Sequence, residues 1–196
     1  MFTKFLRTCG IPLCCLLLGA VGGYYFSRIS SATPALTECF TPGENCTQFI
    51  VDAIKSTQSE LLIEAYGYTS PEILEAVAEV HKKGRTVRVI LDKINEQPRY
   101  KGATYTKDHG IEVLIDHTVS IAHNKVMVID GKYVINGSFN FTVAAQKHNA
   151  ENVLLTKDAP HVAARYRANW FKRARVSSPF TGVKENAHHL KEDDDD

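Results

Sequence analysis

The sequence predicts an α/β domain built on a mixed sheet, and three observations predict it. Apolar runs at Glu60 to Tyr66 and Thr86 to Leu91 enclose an amphipathic stretch opened by Ser70-Pro71-Glu72. That strand–helix–strand order implies a parallel pair joined by a right-handed crossover. Val126-Met127-Val128-Ile129 and Tyr133-Val134-Ile135 flank Asp130-Gly131, the signal of two antiparallel strands joined by a tight turn. The chain has 196 residues, 44% hydrophobic and 23% charged, enough for one domain with a sizeable core.

Residues 1–32 read as a targeting segment. Lys4 and Arg7 make a basic start, Ile11 to Phe26 is almost wholly apolar, and Ser30-Ser31-Ala32 offers small residues for cleavage. Two readings stand: a signal peptide removed on export to the periplasm or medium, or a membrane anchor retained through residues 11–26. The domain is expected over 33–175. Cys39 and Cys46 flank Thr41-Pro42-Gly43, and an even pair across a Pro-Gly turn in an exported chain suggests a disulfide. Two free thiols are the alternative in a reducing compartment.

Within the domain, Phe49, Ile50 and Ile54 give Asn45 to Lys55 a helical spacing. Ser70 is expected to cap the next helix, with Pro71 in its first turn, a stripe of Ile73, Leu74, Val77 and Val80, and Gly84 ending it. Lys93 to Lys101 reads as a polar loop, Ala103 to Asp108 as a helix and Ile111 to Ile115 as a strand. After the hairpin, Glu151 to Leu155 is a strand. Asp158 is expected to cap a last helix through Arg173 that buries Val162, Tyr166, Trp170 and Phe171 in part or whole. Residues 176–196 lack periodicity and end Glu192-Asp193-Asp194-Asp195-Asp196, the pattern of a disordered acidic tail.

Charge excludes little. The net charge is +1, and with the basic start and acidic tail set aside the body is only slightly basic. Any contact with a polyanion must come from local clustering. Lys93, Arg99 and Lys101 are candidates for such contacts, though a solvated loop is the default reading. Within 33–175 no His-Glu-x-x-His, Asp-x-Asp or Cys/His ligand spacing is present, so neither a metal nor another cofactor is expected.

The chemistry-bearing stretch runs from His123 to Asn140. His123 and Lys125 are two apart and share one face of an extended strand. Asp130 lies in the turn, and Gly137-Ser138-Phe139-Asn140 follows the second strand. Nucleophilic displacement needs a nucleophile, a proton for the leaving atom and donors for the negative charge that develops. An imidazole, an ammonium, a hydroxyl and an amide supply these types of group.

This stretch resembles the HKD signature of the phospholipase D superfamily, H-x-K-x4-D-x6-G-S-x-N. It fills every defined position: His123, Lys125, Asp130, Gly137, Ser138 and Asn140. By average residue usage a chance match is on the order of a few in a million. The resemblance is strongest to single-HKD bacterial endonucleases and covers roughly 39–173. It implies an α-β-α sandwich with one HKD half-site per chain, and a homodimer whose two motifs meet at one active site. It also implies metal-independent phosphodiester hydrolysis through a phosphohistidine formed on His123. Lys125, Ser138 and Asn140 would hold the phosphate. Glu151 looks like the acid that orients the nucleophile's other ring nitrogen. Asp130 belongs to the catalytic signature, yet an Asp-Gly turn favours aspartate for its geometry alone. Gly137 would allow close backbone approach, and Tyr66 would line the cleft or pack at its rim. Nucleic acid is the first expected substrate and phospholipid the alternative. A catalytically inactive nucleic-acid-binding module is the third reading.

Overall fold

The computed structural model describes residues 34–184; the expected leader or anchor at 1–32 lies outside the described residues. The strands are β1 (Ala35–Thr41), β2 (Glu60–Ala65), β3 (Thr86–Asp92), β4 (Glu112–Asp116), β5 (Lys125–Ile129), β6 (Tyr133–Gly137), β7 (Glu151–Lys157) and β8 (Ser178–Pro179). They form one mixed sheet in the order β1-β7-β6-β5-β2-β3-β4-β8. β2, β3 and β4 run parallel, and the other neighbours are antiparallel. The helices are α1 (Cys46–Lys55), α2 (Pro71–Lys82), α3 (Gly102–Asp108), α4 (Val143–Lys147) and α5 (Pro160–Ala174).

Alternation along the strands assigns the two faces. Leu61, Ile63 and Ala65 of β2 join the core beneath α1 and α2, with Ile50, Ile54, Ile73 and Val77. Leu62 joins Ile90, Val126, Val128 and Trp170 beneath α5. Helices therefore cover both faces of the sheet. Trp170 is fully buried, and its indole N–H donates to the Ile63 carbonyl at 2.9 Å, which satisfies the polar end of a large apolar side chain. The hairpin turn places Asp130 and Gly131 at φ 53° and 63°. Positive φ at both central residues matches the twist of the flanking strands.

Four local expectations change. β1 was not predicted: its outward positions Leu36, Glu38 and Phe40 are exposed and only Cys39 and Thr41 are buried, so it carries no apolar period of two. Ser70 sits at the start of α2, but its hydroxyl donates to the Glu72 carboxylate at 2.8 Å rather than capping the backbone. Asp158 does not cap the last helix. It takes a positive φ of 53°, and α5 opens at Ala159-Pro160. The fourth concerns the expected tail from 176. Residues 176–184 belong to the domain: β8 pairs with β4, and Phe180 is buried with its N–H on the Val113 carbonyl at 2.9 Å. One buried phenylalanine and a two-residue strand leave no periodic pattern to read. Residues 185–196 lie outside the described residues.

Cys39 of β1 and Cys46, the first residue of α1, are buried and joined in a disulfide.

Candidate active site

One end of the sheet gathers the signature residues. β2 ends at Ala65, opposite Lys125 at the start of β5. β6 ends at Gly137, opposite Val153, and β7 starts at Glu151. His123 therefore precedes β5, Ser138 and Asn140 follow β6, and Tyr66 follows β2, all at the same edge.

His123 is exposed and Lys125 is buried. The Lys125 ammonium donates to His123 Nε2 at 2.8 Å and to the His123 carbonyl at 3.1 Å. An ammonium has no lone pair to accept with, so Nε2 is the acceptor and the neutral ring carries its proton on Nδ1. The Tyr66 ring packs edge-on against His123 at 4.8 Å between centroids and lies 5.4 Å from Lys125 Nζ. Burial, then the Tyr100 and Asp92 charges, holds the Tyr66 phenol above its usual range. It is therefore a neutral wall rather than an anion.

The G-S-F-N segment is fixed from both sides. Phe139 and Phe141 are buried, and the Phe141 N–H donates to the Gly67 carbonyl at 3.0 Å. The Asn140 side-chain oxygen accepts the Gly67 N–H at 3.3 Å, so its NH2 is the end left to offer a phosphate oxygen. At Gly137, a Cβ would stand 2.2 Å from the Asn152 carbonyl oxygen, which explains glycine beside the site. Ser138 accepts the Asn152 N–H at 3.0 Å and donates to the buried Glu151 carboxylate. The other Glu151 oxygen accepts from the Asn149 amide at 3.1 Å. Thr41 backs this corner, accepting the Glu151 N–H at 3.0 Å.

Asp130 is the signature residue that the structure sets apart. It stands at the far end of β5 from Lys125, roughly 16 Å along a strand. Its carboxylate accepts the N–H groups of Gln58, Ser59 and Glu60 at 2.9, 2.7 and 3.0 Å and the Ser59 hydroxyl at 2.8 Å. Burial pushes this carboxyl up, and those four donors pull it further down, below its usual range. These contacts, all with residues 58–60, are those of a residue that fixes the Asp-Gly turn, which is the structural side of the sequence reading.

Several supporting residues escaped the sequence reading. Buried Asn95 donates to the Tyr66 carbonyl at 2.7 Å and the Asp92 carbonyl at 3.1 Å. Asp92 accepts the Ala122 N–H at 2.6 Å, and Asp116 accepts from Thr118 and, at 2.8 Å, from Arg173 Nε. The loop that delivers His123 is thus tied to the ends of β3 and β4. Lys93 reaches its Val119 carbonyl at 3.4 Å. His117 bonds buried Glu96 at 2.9 Å, which also holds Lys184 at 2.6 Å. Isolated polar residues at strand ends carry no spacing signal, and only the folded register brings them together. Among the described residues, the group close enough to share a metal ion is Cys39, Glu44 and Cys46, and its two sulfurs are already joined to each other.

Residues 50–175 match the family model described as cardiolipin synthase, PLD-like domain. The chain is 40% identical over 154 residues to a phospholipase D of Rickettsia prowazekii, covering 79% of this chain and 75% of that one. It is 31% identical over 133 residues to a mitochondrial cardiolipin hydrolase of Canis lupus familiaris, covering 67% and 52%. In structure it is similar to Nuc of Salmonella typhimurium, a phospholipase D family member, with a TM-score of 0.73 at 27% identity over 76% of this chain and 99% of that one. NucT of Helicobacter pylori shares the fold, with a TM-score of 0.70 at 21% identity over 76% and 100%.

Proposed function

The chain belongs to the phospholipase D superfamily and is one of its phosphodiesterases, and from that premise we propose that His123 is the nucleophile of a metal-independent hydrolysis. The observation that carries this reading is the pairing of exposed His123 Nε2 with the Lys125 ammonium at 2.8 Å. The tautomer already places the lone pair on Nε2. An arriving phosphate draws Lys125 onto its non-bridging oxygens, and Nε2 attacks phosphorus as the leaving P–O bond breaks. Asn140 adds neutral donors. Glu151 holds Ser138 in place and, by the family resemblance, orients Nδ1 of a histidine. Water then hydrolyses the phosphohistidine and restores the imidazole.

In-line attack puts the leaving oxygen opposite the nucleophile, where one histidine cannot reach it. A homodimer resolves this, with the second subunit's His123 protonating the leaving group and later activating water. Nucleic acid is the first substrate class, supported by the similarity to Nuc. The test is plasmid DNA cleavage by the purified protein in excess EDTA, with His123→Ala as control. Cleavage lost in the variant supports the reading, and equal cleavage by both proteins overturns it.

Phospholipid is the second reading, favoured by Val119 and Ile121, exposed apolar residues on the loop that delivers His123, and by the relatives named phospholipase D. Head-group release from vesicles, without DNA cleavage, would select it. The Cys39–Cys46 disulfide supports an exported location, periplasmic or secreted, with a membrane anchor at 11–26 as the alternative.

A further inference from the structure

Between His123 and Lys125 lies Asn124, and it is held at two points. Its carbonyl accepts the Tyr66 N–H at 3.1 Å, and its side-chain amide donates to Glu64 Oε2 at 2.7 Å. Glu64 comes from β2, on the α5 side of the sheet, opposite Val126. It is 5% exposed, and its other oxygen, Oε1, is buried without a hydrogen-bond partner. Beside it is a cavity of about 10 Å³, lined also by Asp116, Asn124, Ala122 and Arg173, near the lower limit for one water. A carboxyl in such a place is costly and does not serve packing alone.

We propose that Glu64 is a positioning residue for the hydrolysis: through the Asn124 amide it fixes the main chain between His123 and Lys125, and its charge sets how firmly. The charged form accepts a charge-assisted bond, stronger than the neutral form can make. Burial lifts the Glu64 carboxyl to about 7, the Asn124 bond and Arg173 pull it back in part, and Asp116 adds to the rise. Those are the charged groups of β4 and α5 that face it. β3 offers Ile90 and β5 Val126, both apolar. Glu64 therefore changes charge in the neutral range, where the reaction of a neutral imidazole also switches on.

The inference rests on His123 being the reacting group. Its test is the pH dependence of kcat and KM for bis(4-nitrophenyl) phosphate, for the wild type, Glu64→Gln, Asn124→Ala and the double variant. Glutamine stays an acceptor for Asn124 but never charges. Glu64→Gln is expected to match the wild type in acid and to fall about fivefold short in kcat above neutrality, with KM little changed. Ionisations that both proteins share cancel in the comparison, so only the inflection that belongs to Glu64 disappears. Asn124→Ala should flatten the same limb, and adding Glu64→Gln to it should change nothing further. A Glu64→Gln profile parallel to the wild type overturns the proposal. Should that variant fail to fold, Asn124→Ala, a truncation of an exposed side chain, reads the same link, and a parallel profile there overturns it too. Full activity of His123→Ala would instead sink the nucleophile assignment, a separate outcome.

Discussion

Lys125 Nζ lies 2.8 Å from Nε2 of His123, and the same ammonium bonds the His123 carbonyl. The contact selects the tautomer with its lone pair on Nε2, and it also occupies that lone pair. In the proposed reaction, Lys125 must let go of the ring before His123 can attack. A non-bridging phosphate oxygen is the stronger acceptor for an ammonium, so substrate itself supplies the exchange.

Replacing Lys125 by methionine is expected to lower kcat by about 100- to 1000-fold, because it removes both the tautomer lock and a donor to the charged oxygens. Lys125→Arg should recover only a small part, since a planar fork cannot follow the path of a compact ammonium. Steady-state kinetics on a phosphodiester in EDTA check this. A methionine variant with wild-type kcat would remove Lys125 from the reaction.

Asp130 should behave as a fold residue. Asp130→Ala removes four donors' acceptor and is expected to destabilise the domain by about 2–3 kcal/mol, lowering Tm by about 4–12 °C. Activity of the folded fraction should stay at the wild-type level, because the residue lies at the other end of β5. Its folded-state pKa is depressed. The stabilisation it gives is present above its unfolded pKa and is lost as pH falls through the folded value. Thermal melts and kcat below the lowered Tm separate the two roles.

The motif made His123, Lys125, Ser138 and Asn140 legible, since their spacing encodes a strand, a turn and a returning strand. The parallel β2–β3 pair and most helices were legible for the same reason, a sustained period. Glu64, Asn95, Asp92 and Asp116 were not. Each is a single polar residue near a strand end. Glu64, Asp92 and Asn95 bond segments far away in sequence, and Asp116 joins its own following loop to Arg173 of α5, so their meaning exists only after the sheet order is set. At Asp130 the Asp-Gly turn was legible, but its partners were not: its spacing is fixed within the signature, while its contacts are with residues 58–60. The missed β1 and the short β8 are edge strands, where one-sided burial leaves the hydrophobic pattern weak.

Glu64 gives a stability signature independent of activity. Its folded-state pKa, about 7, is raised well above the usual carboxylate range. The favourable contribution of holding the proton is full below the unfolded pKa and is lost as pH rises through the folded one. The wild type should therefore weaken between about pH 4.5 and 7, by up to about 3 kcal/mol. Glu64→Gln should lack that decline and melt higher than the wild type above neutrality. Equal melting temperatures of the two proteins throughout that range would refute it.

The C-terminal boundary makes the last prediction. Phe180 is 4% exposed, β8 pairs with β4, and Lys184 holds Glu96 at 2.6 Å. Glu96 closes the turn that also carries Asn95, whose amide holds the Tyr66 carbonyl. Stopping the chain after Arg175 exposes the Phe180 cavity and frees that turn. Burial of one phenylalanine contributes about 1.5–3 kcal/mol, so Tm should drop by about 3–12 °C. Because Tyr66 packs on His123, kcat should fall as well. Stopping after Lys184 keeps every one of these contacts and should leave both quantities unchanged. If the two truncations melt together at the wild-type temperature, residues 176–184 are dispensable to the domain, and the path from Lys184 through Glu96 to Tyr66 carries no stabilising coupling.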